Sequence, residues 1–386
     1  MTDEIPCYEA SDSIVEAGGA DMLKCYQCGI CTSVCPWRLT ASMETRRMIH
    51  LAQLGLGGYE DDTLWRCVTC RRCVENCPRG VGITDVAAAA RSLMVDIGSM
   101  PRSLSAALGS LKASGNPWQG EPRERKNWME KAGLAAYDSK CHFLFFPCCT
   151  NIYDREAREA SLAFAGLLRE AGVTAGLLPS GGLCCGDLAV RAGARGIFEG
   201  LRRDLVGQLE TLGFPPVVVL SPHCLVTMAG SAGFGSKIRH YTQVLSGLLL
   251  EGKLKIGKKA GVKITYHDPC YLGRWSGIYE EPRSILRAAA GENFVEMESN
   301  RAEAVCCGGG GGGAFSDVAR TERLGVLRAR QAIETGAEVI ATACPYCMTM
   351  LGDGILAGGF EGKIAVKDIA QILLDAVAPG DCGAGP

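Results

Sequence analysis

At 386 residues, 47% apolar and with a formal net charge of −2, the chain can hold two or three cored domains and offers no basic footprint for nucleic acid or an anionic membrane. Its first residues, MTDEIPCYEA, are acidic and contain no apolar run, so no secretory leader is expected. No window reaches the roughly 18 apolar residues of a membrane span, so membrane contact is expected only through a partner, with a cytoplasmic location.

Cysteine is the outlier, with 21 residues. Secreted disulfide scaffolds are small and poor in core, so in a chain of this length metal or cluster ligation is the expected use.

In chain order, the first signal is CYQCGICTSVCP over residues 25–36, and the second is CVTCRRCVENCP over 67–78. Both follow C-x2-C-x2-C-x3-C-P, the run that holds [4Fe–4S] cubanes. Three close thiolates supply three corners of a cubane, and in two-cluster ferredoxins the fourth comes from the other motif. The expected sets are therefore Cys25, Cys28, Cys31 and Cys77 for one cubane, and Cys67, Cys70, Cys73 and Cys35 for the other. A pair of zinc sites would need neither the proline nor this spacing.

Between the motifs, Leu39, Met43, Met48, Leu51 and Leu54 recur at roughly helical spacing, and TDVAAAARSLMVDIG after the second motif is rich in helix formers. Residues 1–100 are accordingly expected to form a helical ferredoxin-type domain. Arg46, Arg47 and His50 are expected on a solvated or docking face. Residues 101–140, rich in Pro, Gly and charge, read as a linker anchored by Trp118 and Trp128.

The remainder is an internal repeat. FLFFPCC and ITYHDPC are β-prone runs ending in Pro-Cys, and 36 positions separate Cys148 from Cys184 and Cys270 from Cys306 alike. The pairs Cys184–Cys185 and Cys306–Cys307 are each followed by Gly. A further strand then leads to Cys224 in VVVLSPHC and to Cys347 in VIATACPYC. Strands and helices alternate, which predicts two α/β domains with largely parallel sheets, over residues 141–258 and 259–378, with the cysteines gathered at strand ends.

Two Cys-Cys-Gly modules behind a two-cubane domain resemble the heterodisulfide reductase family, in the type that fuses both parts into one chain. The likeness covers roughly residues 20–378 and rests on CYQCGICTSVCP, CVENCPRGV and the CCG centres. Iron–sulfur subunits of glycolate oxidase and of tungsten benzoyl-CoA reductase complexes share the architecture. The resemblance implies that a complete module, here Cys270, Cys306, Cys307, Cys344 and Cys347, holds a noncubane [4Fe–4S] cluster. It further implies that an under-coordinated iron there can meet a substrate sulfur.

The first module departs from that pattern. Ser221 stands where Cys344 stands, leaving Cys148, Cys184, Cys185 and Cys224, with Cys149, opposite Tyr271, as the candidate substitute. Its occupant is left open between an altered noncubane cluster, a cubane, a zinc ion and none.

No Rossmann GxGxxG or P-loop is present, so electrons are expected singly from a partner: a flavoprotein, a quinone-reactive subunit or a terminal reductase. The expected order is cubanes, first module, second module. The reading favoured is an electron-transfer subunit of an anaerobic redox complex. Its rival is a heterodisulfide reductase catalytic at Cys270, Cys306, Cys307, Cys344 and Cys347. The six glycines after Cys307 are expected to adopt φ > 0 and aim N–H groups at sulfur, and they mark the second site as the one open to a substrate or partner. Cys7, Cys141 and Cys382 lack spacing partners and read as free thiols, while His223, His267, Asp187 and Arg274 are undecided between structural and site roles.

Overall fold

The computed structural model describes residues 6–58, 62–179, 184–230 and 237–378, and Cys382 lies outside them. The N-terminal part is helical as expected, although Leu39 and Met43 of the apolar series fall outside the helix that carries the rest, and Leu39 is exposed. Thr45–Leu54 is a helix burying Met48, Ile49 and Leu51, and Ile83–Asp96 is a second, burying Ile83, Val86 and Ala87.

The expected linker is instead largely helical. Arg102–Ser114 buries Leu104, Ala107, Leu108 and Leu111, which recur at helical spacing and make a docking stripe. Pro122–Ala132 follows, with Pro at its first position and a Glu121/Glu124 capping box. Trp128 is fully buried against Phe145, with its indole N–H donated to Ser161 Oγ at 2.7 Å.

The repeat folds twice into the same parallel sheet. Strands β1 (Phe143–Phe146), β2 (Ala175–Gly176), β3 (Val217–Val219) and β4 (Ile238–His240) lie in the order β2-β1-β3-β4. Strands β5 (Ile264–Tyr266), β6 (Phe294–Val295), β7 (Val339–Thr342) and β8 (Ala365–Asp368) repeat it as β6-β5-β7-β8. All six pairings are parallel, and the inner strands β1, β3, β5 and β7 are buried along their length, as strands covered by helices on both faces must be.

Each last strand ends in a capping box, His240 with Gln243 and Asp368 with Gln371. The cores do not respect the sequence boundaries. Phe164 and Leu245 of the first module share a core with Leu286 and Leu373 of the second, and Met48 and Val86 share one with Leu351 and Ile355. Among the described residues no helix is long and apolar enough to cross a membrane.

Asp368 gives a pH-dependent stability. Burial pushes its carboxyl up to about 7, although it accepts from Ala370 N–H at 2.8 Å and from Tyr241 O–H at 2.7 Å. A raised folded-state pKa means that the stabilising form is protonated, so its contribution is whole below about pH 4 and is lost as pH rises through 7. Asp368→Asn keeps the cap without the charge. Its stability advantage over the parent is expected to grow by about 1.4 kcal/mol from pH 6 to pH 8, read from urea midpoints at each pH.

Candidate metal centres

The two ferredoxin-type loops share one backbone solution. Gln27 and Gly29 in the first, and Thr69 and Arg71 in the second, occupy matching positions with φ of 66°, 87°, 49° and 63°. Left-handed turns at these points wrap the loop around a concave space. Thr69 is β-branched, for which φ > 0 is costly. Its hydroxyl is held 2.7 Å from Tyr271 O–H in the second module.

The fourth thiols cross between loops. Cys35 lines one cavity with Cys67, Cys70 and Cys73, and burial pushes its thiol up to about 12. Cys77 lies beside Tyr26 of the first loop, as Cys28 does, and accepts from Val81 N–H at 3.4 Å. Of the eight, Cys28 is exposed, whereas Cys31, Cys67 and Cys70 are buried. Arg46, Arg47 and His50 are exposed.

The second Cys-Cys-Gly site gathers Cys270, Cys306, Cys307, Cys344 and Cys347, none more than 6% exposed. Cys270 Sγ lies 3.9 Å from Cys306 Sγ, and Cys307 Sγ 3.3 Å from Cys347 Sγ. Gly308, at φ 98°, donates its N–H to Cys306 Sγ at 3.3 Å, as Gly186 at φ 84° does to Cys184 Sγ at 3.5 Å. The adjacent pair plus glycine is thus one turn used twice, with N–H groups aimed at sulfur as expected.

The longer glycine run does something else. Gly310 and Gly311 are buried against the second ferredoxin loop, where a Cβ would sit 2.4 Å from the carbonyl oxygen of Val68 or Cys67, and Gly312 is buried against Leu104 and Leu188. The second site is therefore covered by the helical domain, where bare backbone had suggested an opening.

The first site brings together Cys148, Cys149, Cys184, Cys185 and Cys224, with Cys149 Sγ 3.8 Å from Cys184 Sγ and Cys148 against both Cys149 and Cys224. Ser221 and Cys344 both sit immediately before a helix-opening proline. Ser221 uses its hydroxyl to cap, accepting from His223 N–H at 3.3 Å, which Cys344 does not. A serine here gains a helix cap and gives up a thiolate.

All four undecided residues lie at these sites. His223 Nδ1 is 2.7 Å from Asp187 Oδ2; burial opposes its charge, yet the carboxylate raises its pKa to about 10. Its ring stacks on Tyr271 at 3.7 Å and reaches Cys344 across the module boundary. Burial also opposes ionisation of Cys344, but hydrogen bonds with Cys347 and His223 bring it down to about 7. Arg274 donates from Nε to the Cys70 carbonyl at 2.6 Å and from Nη1 to those of Ala302 and Ala304. His267 packs against Cys307, and its Nδ1 accepts from Arg328 Nε at 3.1 Å. Sequence reasoning missed Arg328, although a cation four residues after Leu324 on a buried helical stripe was a usable signal.

The Cys70 thiol neighbours that of Cys306, so the second ferredoxin loop meets the second module directly, and His223 and Tyr346 link the thiols of the two modules. Cys7 is exposed and Cys141 half-buried, both away from these groups.

The residues fit anionic clusters. Arg274 Nη2, Arg328 Nη2 and His267 Nε2 are buried around the second site with no protein acceptor of good geometry, a costly arrangement unless thiolate and sulfide complete it.

Residues 21–81 match the 4Fe-4S dicluster domain, and 143–229 and 264–352 each match the cysteine-rich domain. The chain is 30% identical over 338 residues to a probable iron-sulfur-binding oxidoreductase, FadF, of Bacillus subtilis, covering 84% of this chain and 48% of that protein. It is 32% identical over 334 residues to the EtfAB:quinone oxidoreductase of Syntrophomonas wolfei, covering 82% and 47%. One subunit of the dihydromethanophenazine:CoB–CoM heterodisulfide reductase of Methanosarcina barkeri is 27% identical over 329 residues, covering 82% and 78%. The chain spans about half the length of the first two. It belongs to the heterodisulfide reductase-like iron–sulfur proteins, in which a 4Fe-4S dicluster domain precedes two cysteine-rich domains.

Proposed function

We propose that the chain is an electron-transfer subunit that passes single electrons between a flavoprotein or quinone-reactive partner and another redox enzyme. Cys25, Cys28, Cys31 and Cys77 hold one cubane and Cys35, Cys67, Cys70 and Cys73 the other. Cys270, Cys306, Cys307, Cys344 and Cys347 hold a noncubane [4Fe–4S] cluster. Cys148, Cys149, Cys184, Cys185 and Cys224 hold a second one, with Cys149 in place of the thiol lost at Ser221; zinc there is the alternative that metal analysis separates. Bound clusters supply one-electron donors and acceptors. The chain's own residues position them, exclude water and tune them.

The observation that carries this reading is the Cys70–Cys306 contact, which continues a row of thiol groups from the exposed Cys28 loop into the modules. Burial of all five thiols at the second site favours relay over attack on a bulky disulfide. With reduced viologen as donor, the isolated chain is expected to leave a panel of thiol disulfides unreduced above background. Viologen oxidation that depends on a disulfide and disappears in Cys307→Ser would instead establish the reductase reading.

A further inference from the structure

The orphaned donors are distributed unevenly between the two modules. His267 Nδ1 faces the guanidinium of Arg328, which can only donate, so Nδ1 must accept and the ring proton of the neutral imidazole sits on Nε2. A ring nitrogen of His267 lies within 4.8 Å of Cys307 Sγ and Cys347 Sγ, and the buried Nε2 has no hydrogen-bond partner of good geometry. An imidazole locked in this tautomer has no lone pair to offer iron at Nε2, so it donates to sulfur rather than ligating. Arg274 adds a buried cation whose Nη2 is also unpartnered, set among Cys70, Cys270 and Cys306.

The offset of 122 that carries Cys148 onto Cys270 places Phe145 and Ile152 where His267 and Arg274 stand, and neither can donate from its side chain. The first site has instead the buried carboxylate of Asp187 beside Cys185, its charge already met by His223 and Arg191, so these cations answer Asp187 rather than the thiols there. Buried N–H donors and positive charge stabilise the reduced, more negative state of a cluster, and hydrogen bonds to its sulfurs set its potential.

Resting on the cluster assignment above, we propose that His267, positioned by Arg328, and Arg274 raise the reduction potential of the second Cys-Cys-Gly site, making it the electron well between the cubanes and the first module. His267 and Arg274 act on the cluster's sulfurs; Arg328 is a positioning residue that fixes the tautomer.

The test is a potentiometric EPR titration of anaerobically purified full chain. Replacing His267 with the first module's residue, His267→Phe, is expected to keep the iron content and lower the second-site midpoint by the equivalent of about tenfold in the electron-exchange constant, about 59 mV for one electron. His267→Gln, which retains an N–H donor, is expected to recover at least half of that shift, and Arg328→Met to move the midpoint in the same direction as His267→Phe. A full-iron His267→Phe with an unshifted or raised midpoint overturns the inference.

If His267→Phe loses iron, the parent decides. Chain labelled with 15N-histidine is expected to show 15N hyperfine coupling on the second-site signal that persists in His223→Gln, and its absence there overturns the inference. A parent holding iron for the two cubanes alone overturns the underlying cluster assignment instead, and is distinguished by metal analysis before any variant is made.

Discussion

Arg91→Met is expected to destabilise the whole chain by about 3–5 kcal/mol, the scale of losing two or more buried hydrogen bonds from a charged donor. Arg91 lies on the helix Ile83–Asp96 and is fully buried. Its guanidinium donates to the carbonyls of Leu64, Trp65 and Cys67 in the helical domain, Arg191 in the first module and Gly311 in the second. One side chain thus ties three parts of the fold around the Cys67 loop. Burial lowers its pKa, opposed first by Cys67 and then by Tyr271, so a cluster on that thiolate is its natural counter-charge. Methionine fills much of the volume but leaves five carbonyls without their donor. Domains of ordinary stability retain only about 5–15 kcal/mol, so the thermal midpoint should drop steeply and iron should be lost on dilution. A melting curve equal to the parent's would show that these contacts do not hold the parts together.

The second large effect is expected at Gly311→Ala. Its φ is 60°, and the added Cβ would stand 2.4 Å from the Cys67 carbonyl oxygen and 3.2 Å from Arg91 Nη1. The cost of the left-handed conformation, about 1–2 kcal/mol, is then the smaller part. The larger part is separation of the glycine run from the loop that carries Cys67 and Cys70. Iron per chain is expected to fall by about four as the cubane there is lost. Gly200→Ala is the matched control: it lies within the helix Arg195–Thr211 with nothing inside 4 Å of the added carbon, and should be neutral or gain up to about 1 kcal/mol. Equal iron in Gly311→Ala and Gly200→Ala would show that the run is no docking surface.

These two residues also mark where sequence reading ended. Thiol groups were legible because a cluster fixes short offsets between its ligands, and the modules because β-prone runs and paired cysteines recur at one period. The expected crossing of Cys35 and Cys77 came from the two-cluster ferredoxin pattern, and the cavity that Cys35 lines with Cys67, Cys70 and Cys73 supports it. What meets what was not legible, since the Cys70–Cys306 contact depends on how three parts pack and no local spacing encodes it. Arg91, in the alanine-rich run AAAARSL, reads like a solvated helix residue until its neighbours are known. The run GNPWQGEPRER resembled a linker because charge and Pro mask the leucine stripe of Arg102–Ser114 just before it. The glycines after Cys307 suggested an opening, and only the fold shows them spent on close approach to another backbone.

The central claim is that the Cys-Cys-Gly thiols carry redox-active iron in line with two cubanes. Iron and acid-labile sulfide per chain, measured on anaerobically purified protein, test it most directly. About twelve irons are expected if the second site alone holds a cluster, and about sixteen if both do, with Cys307→Ser removing about four in either case. About eight irons, unchanged in Cys307→Ser, would contradict it.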